Sequence, residues 1–271
     1  MEDTQADRRK DDAPKMTNQE ILYIALQQSG YDCNCKAEDF LATENKICIS
    51  QKNDKARAYL PLPFACDLVS YGNNIVAQVS PRMKEAVEWY IGKYAVAHCF
   101  EAPNVIALHE RLAEFGYKVC FMAEYFLPDV NKLQEQPCDY GIQIMTPEQF
   151  ERYYTDEWQN ALCEKRKHLD KLAVGAFDNG RLIGLAGCSA DCETMYQIGV
   201  DVLPEYRRKG IASAITSRLA IETLKLGKVP FYCAAWSNIK SVRNAIKSGF
   251  RPAWVELTAR SAEFVDDINK R

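Results

Sequence analysis

At 271 residues, 47% of them hydrophobic, the chain is long enough to bury one large core or two smaller ones. Its net charge of −3 and pI near 5.8 exclude a nucleic-acid binder that relies on bulk positive charge, so any phosphate binding must be local. The 11 cysteines are odd in number, the charged N-terminus lacks an apolar signal core, and no apolar run approaches the ~20 residues of a bilayer span. Together these predict a reduced, cytoplasmic protein that contacts neither membrane nor nucleic acid.

Residues 1–15 are polar and of mixed charge, which predicts a disordered tail. From Thr17, the apolar positions Ile21, Leu22, Ile24 and Ala25 predict a helix with a Thr17/Glu20 capping box and Gly30 as its stop. Residues 46–50 and 56–60 read as strands around the turn-prone Lys52-Asn53-Asp54, and residues 74–79 read as another. Cys33-x-Cys35, like Cys188-x-x-x-Cys192 further on, lacks the second Cys or His pair of a zinc site, and no metal is expected. Pro81 opens a helix over 82–96, with Val87, Tyr90, Ile91 and Tyr94 on one stripe.

Residues 104–117 (NVIALHERLAEFGY) place an Asn before a helix and a Gly-aromatic pair after it, and residues 238–250 (NIKSVRNAIKSGF) have the same plan. Either this is a degenerate internal repeat or it reflects the cap chemistry of any two helices. Residues 128–140, polar and bracketed by Pro128 and Pro137, read as a linker. The expected organisation is a tail (1–15), an N-terminal α/β domain (16–128), a linker (129–140) and a second domain (141–271). In the second domain, Thr146-Pro147-Glu148-Gln149 starts a helix, and 172–177 and 181–187 form a hairpin around Asn179-Gly180. Ile198, Val200 and Val202 mark a strand that Pro204 stops, and Ile211, Ile215 and Leu219 mark a helix that Gly227 ends. Residues 228–235 and 254–258 read as strands, and 262–271 as a short charged helix.

The turn Arg207-Arg208-Lys209-Gly210-Ile211-Ala212 stands out because it joins a Val-rich strand to an amphipathic helix. Successive backbone N–H groups at such a helix start are unpaired and carry the positive end of the helix dipole, which suits them to phosphate. A side chain at position 210 would hold phosphates away, or would be strained if the turn needs positive φ.

This turn resembles the Arg/Gln-x-x-Gly-x-Gly/Ala signature of the GNAT superfamily of acetyl-CoA-dependent N-acetyltransferases, and the preceding Val-x-Val-x-Pro-x-Tyr is similar to that family's lead-in strand. Asn238, followed by Ala245, Lys247, Gly249 and Phe250, looks like its second motif; the resemblance covers about residues 140–260. It implies an α/β (α+β) fold with a mixed, splayed central sheet, preceded by a smaller α/β domain, as in two-domain bacterial members. It also implies acetyl-CoA as co-substrate and a small-molecule or peptide amine as acceptor, with no metal. Mapped by the resemblance, Val200 and Val202 offer a strand edge to the pantetheine arm, facing residues 231–235. The amides of Arg208, Lys209, Gly210, Ile211 and Ala212 after Arg207 hold the diphosphate, and Asn238 and Ser241 touch the arm. The Val202 N–H would polarise the thioester. Tyr196 stands where relatives often carry a catalytic Glu, and Glu193 is a nearby carboxylate, whereas Asp201 alternates to the opposite face and reads as structural. Ala245 replaces the Tyr that many relatives use to protonate the thiolate, which keeps a non-catalytic acyl-CoA-binding protein as the alternative. The final hairpin is one strand short, a place the N-terminal half could fill. The sequence does not set the oligomeric state.

Overall fold

The computed structural model describes residues 16–270, so the tail expected over 1–15 lies outside the described residues. The N-terminal part contains α1 (Asn18–Cys33), β1 (Lys46–Ile49), β2 (Cys66–Ser70), β3 (Val76–Val79), α2 (Lys84–Lys93), α3 (Ala102–Ala113) and β4 (Tyr117–Pro128). There follow β5 (Gly141–Met145), the single turn α4 (Pro147–Phe150), β6 (Asp170–Asp178), β7 (Arg181–Ser189), β8 (Met195–Val202) and α5 (Ile211–Lys225). The chain closes with β9 (Val229–Ala235), α6 (Ile239–Lys247), β10 (Phe250–Ser261) and α7 (Ala262–Asn269).

All ten strands form one mixed sheet in the order β1-β3-β2-β10-β4-β9-β8-β7-β6-β5. The sheet therefore runs across the expected linker. β4, from the N-terminal part, is paired on one side with β9 and on the other with β10. β10, from the end of the chain, pairs in turn with β2. Each part lends its last strand to the other, and β4 fills the place where the C-terminal hairpin is a strand short. The two stretches of similar plan become α3–β4 and α6–β10, each a helix leaving through a glycine of positive φ (Gly116, Gly249), and their strands pair with each other.

Three apolar clusters fill the space around the sheet. One lies between α5, α6 and strands β6–β9, with Ile211, Ile215, Leu219 and Tyr232 buried in it. A second joins α1 to both parts, through Ile21, Phe40, Tyr125, Phe231 and Trp254. The third holds α2 and α3 against β2 and β10, through Tyr90, Leu108, Leu112 and Leu257.

Several local expectations are corrected. Gly30 does not stop α1, which continues to Cys33 and ends at left-handed Asn34; Gly30 is small because an added Cβ would lie 2.9 Å from the Cys35 carbonyl oxygen. Residues 56–60 are turns rather than a strand. Their Arg57 is drawn into the interior, where Nε donates to Asp32 at 2.6 Å and Nη2 to Glu256 at 2.7 Å. β2 escaped the sequence reading because all five residues are buried, so it has no alternation to read. Asn104 lies inside the first turn of α3 instead of capping it, and its side chain donates to the His98 carbonyl.

Candidate functional site

β8 and β9 are parallel neighbours only over Met195–Ile198 and Val229–Tyr232. Beyond that point β8 stays with β7, while residues 233–235 of β9 stay with β4, so a gap opens between them. The expected gap began at Phe231; pairing of Phe231 with Gln197 and of Tyr232 with Ile198 moves its start to Gly199 and Cys233. The Leu203 N–H donates to the Ile183 carbonyl, so strand alternation directs the polar groups of Asp201 and Gly199 to β7 and those of Val200 and Val202 into the gap. Arg207 Nε donates to the Val202 carbonyl at 3.0 Å. What remains open on this edge is the Val202 N–H and both polar groups of Val200.

Gly210 is the N-cap of α5, with φ 81° and ψ −4°, and Arg208 before it has φ 66°. A β-branched side chain at 210 would be strained. Among the described residues, no acceptor takes a hydrogen bond from the backbone N–H of Arg208, Gly210, Ile211 or Ala212. A Cβ at 210 would lie 4.0 Å from Lys247 Nζ and 3.8 Å from the Pro137 carbonyl oxygen, which places both groups beside the turn. The Ile211 side chain points away into the core against Gly184, which leaves its amide at the helix end. The residues present fit a diphosphate: four free amides, the positive end of a 15-residue helix, and an ammonium group.

The other basic side chains of the turn are partly engaged. Arg207 holds Val202, and Lys209 Nζ donates to the Tyr140 hydroxyl at 3.1 Å and lies over the Tyr206 ring. Lys247, at the end of α6, is exposed and has no ion-pair partner among the described residues. Sequence reasoning named it only as part of a motif, because its approach to Gly210 depends on α6 packing across the end of α5. Residues 129–140 also reach this corner: Gln136 N–H donates to Ser217 Oγ, and Arg218 pairs with Glu135.

Asn238 caps α6, accepting from the Ser241 N–H at 3.2 Å. Ser241 Oγ is 2.8 Å from the Tyr232 hydroxyl. Burial pushes the Tyr232 phenol up, and its hydrogen bonds to Ser241 and Asn244 work against that. Ala245, one turn after Ser241, is fully buried.

The structure does not bring Glu193 and Tyr196 to Val202. Six residues of extended strand, roughly 20 Å at ~3.3 Å per residue, separate Tyr196 from Val202. The Tyr196 ring packs half-buried on the apolar cluster under α5, and burial raises its phenol. Glu193 lies in the β7–β8 connection, where its carbonyl accepts from Lys228 Nζ. Asp201 is tied to the loop before β6, accepting from Asn160 N and Ala161 N at 2.9 Å and from Asn160 Nδ2 at 2.7 Å. All 11 cysteines are free thiols, and no group of three metal-capable side chains occurs among the described residues. No described helix is long and apolar enough to cross a membrane.

Among curated proteins there is no significant match. Solved structures similar to the chain include a GCN5-related N-acetyltransferase-like protein from Streptococcus suis (21% identity, TM-score 0.43, covering 57% of this chain and 68% of that one). A GCN5-related N-acetyltransferase from Kribbella flavida is 16% identical (TM-score 0.43, 58% and 65% covered). An acetyltransferase from the GNAT family of Colwellia psychrerythraea is 14% identical (TM-score 0.42, 74% and 84% covered). The chain spans slightly less than two thirds of the Kribbella protein. Residues 111–253 match the family described as GNAT acetyltransferase, a stretch that begins within α3 and so takes in β4 as well as the gap and the α5 turn. That match covers more than half of the 271 residues, and the chain belongs to the GNAT acetyltransferase family.

Proposed function

We propose that the chain transfers the acetyl group of acetyl-CoA to the neutral primary amine of a small-molecule or peptide acceptor, by direct attack in a ternary complex. The observation that carries this reading is one corner of the fold, where an open edge of β8 leads into the unpaired amides at the start of α5. In this reading the diphosphate rests on the amides of Arg208, Lys209, Gly210, Ile211 and Ala212, with Lys247 as counter-charge. The amides of the pantetheine arm join Val200 as an added strand would, alongside Asn238 and Ser241. The Val202 N–H is then placed to hold the thioester oxygen and the negative charge that develops on it.

Proton handling falls to water and hydroxyl groups. An amine with a pKa near ~10 is mostly protonated at neutral pH and must lose a proton before attack, whereas a thiolate with a pKa near ~8.5 leaves with little help. The Tyr232–Ser241 hydroxyl pair is the protein group best suited to return a proton to the departing sulfur. A second reading, a non-catalytic acyl-CoA-binding protein, draws support from buried Ala245 and from the commitment of Asp201 to the 160–161 loop. Incubation with acetyl-CoA and a panel of primary amines, following free thiol, separates the two. Amine-dependent thiol release supports transfer; tight CoA binding with no release on any amine supports the second reading.

A further inference from the structure

β1 is the outermost strand on one side of the sheet, with β3, β2, β10, β4 and β9 between it and β8. Strand alternation puts Lys46 and Cys48 on the face toward the end of α1, while Ile47 packs on the opposite face with the α2–α3 cluster. On the first face Cys48 joins Cys33, Ala37 and Phe40 in one apolar cluster, and Cys35 packs against it. Two turns of chain bring these thiols together. Left-handed Asn34 ends α1, and the Cys35 N–H donates back to the Gly30 carbonyl at 2.9 Å. The single turn Ala37–Phe40 then carries Asp39 to Lys46 Nζ, 3.3 Å away. Cys48 is paired in register with Gln78, whose Nε2 lies 3.7 Å from Cys33 Sγ.

The three thiols are not equivalent. Cys33 and Cys48 are buried and Cys35 is half-buried. The Cys35 thiol donates a hydrogen bond to the Cys48 sulfur. That hydrogen bond, and after it the Lys46 ammonium, holds Cys48 below the usual thiol range against the opposing effects of burial and Asp39. Burial pushes the Cys33 thiol well above that range, and the nearby carboxylates add to it. A sulfur that accepts from a second thiol, with a cation on the same strand face, has the surroundings of an oxidisable cysteine with a resolving partner.

We propose that Cys48 and Cys35 are a peroxide-oxidised pair, which closes to a disulfide between the edge strand β1 and the end of α1. The Cys48 thiolate attacks one oxygen of hydrogen peroxide and becomes the sulfenic acid, and the departing hydroxide takes a proton to give water. The Cys35 sulfur, losing its proton, then attacks the Cys48 sulfur; the S–S bond forms and the hydroxyl leaves as a second water. Two electrons pass from the two sulfurs to the peroxide. Exchange with a dithiol reductant returns both thiols. The inference is independent of the acetyl-transfer reading.

The test exposes the full chain to a few equivalents of hydrogen peroxide, unfolds it and alkylates the remaining thiols. Intact mass should show two fewer alkylated cysteines than in the reduced chain, peptide mapping should join Cys35 to Cys48, and dithiothreitol should restore both. In Cys35→Ser the reaction should stop at the sulfenic acid, so dimedone present during oxidation should label Cys48 at least about tenfold more than in the wild type. Full alkylation of Cys35 and Cys48 after peroxide, a bridge from either one to Cys33 or another cysteine, or no dimedone adduct on Cys48 in the variant would overturn the proposal.

Discussion

Asp67 lies inside the sheet with one oxygen bonded to Gln78 Nε2 at 3.0 Å and the other without a partner. Burial, and after it the neighbouring Glu256, pushes its carboxyl well above the usual carboxylate range. A folded pKa above the unfolded one means that the group contributes its full stability below about pH 4 and loses it as pH rises. Asp67→Asn should therefore raise the urea midpoint, and by more at pH 8 than at pH 5; an equal or lower midpoint at pH 8 would contradict this. In the proposed reading, Lys247 acts on the ligand instead. Lys247→Met should weaken CoA binding roughly three- to tenfold, about 1 kcal/mol, and flatten its salt dependence, as read by titration at two ionic strengths. Affinity and salt response equal to wild type would remove Lys247 from the site. Gly210 was legible in the sequence because its neighbours define a turn, whereas Lys247 was not, since 37 positions of chain separate two groups that only the packing of α6 on α5 brings together.

At the scale of elements, the gap between β8 and β9 depends on what holds β8 to β7. Gly187 and Gly199 leave room on that face for the carbonyls of Ala161 and Asn160, and Asp201 fastens the same loop through three hydrogen bonds. Asp201→Ala is expected to cost about 1–3 kcal/mol of stability and to speed hydrogen exchange at the Asn160 and Ala161 amides, with CoA affinity unchanged. Loss of turnover with no loss of stability would instead make Asp201 catalytic. Strands with one solvated face and helices with marked caps were readable, as the 178–180 turn and the Thr17 and Thr146 capping boxes show. The loop around Arg57 was misread because local apolar alternation at 56–60 says nothing of a guanidinium drawn inward by Asp32 and Glu256. Sequence periodicity reports a segment's own faces, and this segment is shaped by partners far along the chain.

For the whole molecule, the exchange of β4 and β10 makes the two parts interdependent. The Arg57 network adds to this, joining Asp32 near the start of the chain to Glu256 near its end. Arg57→Met should destabilise by about 3–5 kcal/mol, because it strands two buried carboxylates. We expect one cooperative unfolding transition for the full chain, and residues 129–271 produced alone should not fold, since β9 and β10 would each lose β4. A folded, monomeric 129–271 fragment would contradict that view. The GNAT-like turn and strand were legible because their residues are contiguous; the missing strand was legible as a place for the N-terminal half to fill, but residues 117–128 were not read as the strand that fills it.

The start of α5 is proposed to hold the diphosphate of CoA. Calorimetric titration of CoA into the wild type and Gly210→Val tests this, since the substitution strains a backbone at φ 81° within the turn that carries the free amides. One saturable site in the wild type, weakened by salt and at least about tenfold weaker in the folded variant, is the expected result. No binding to the wild type, or equal affinity in both, would contradict the account.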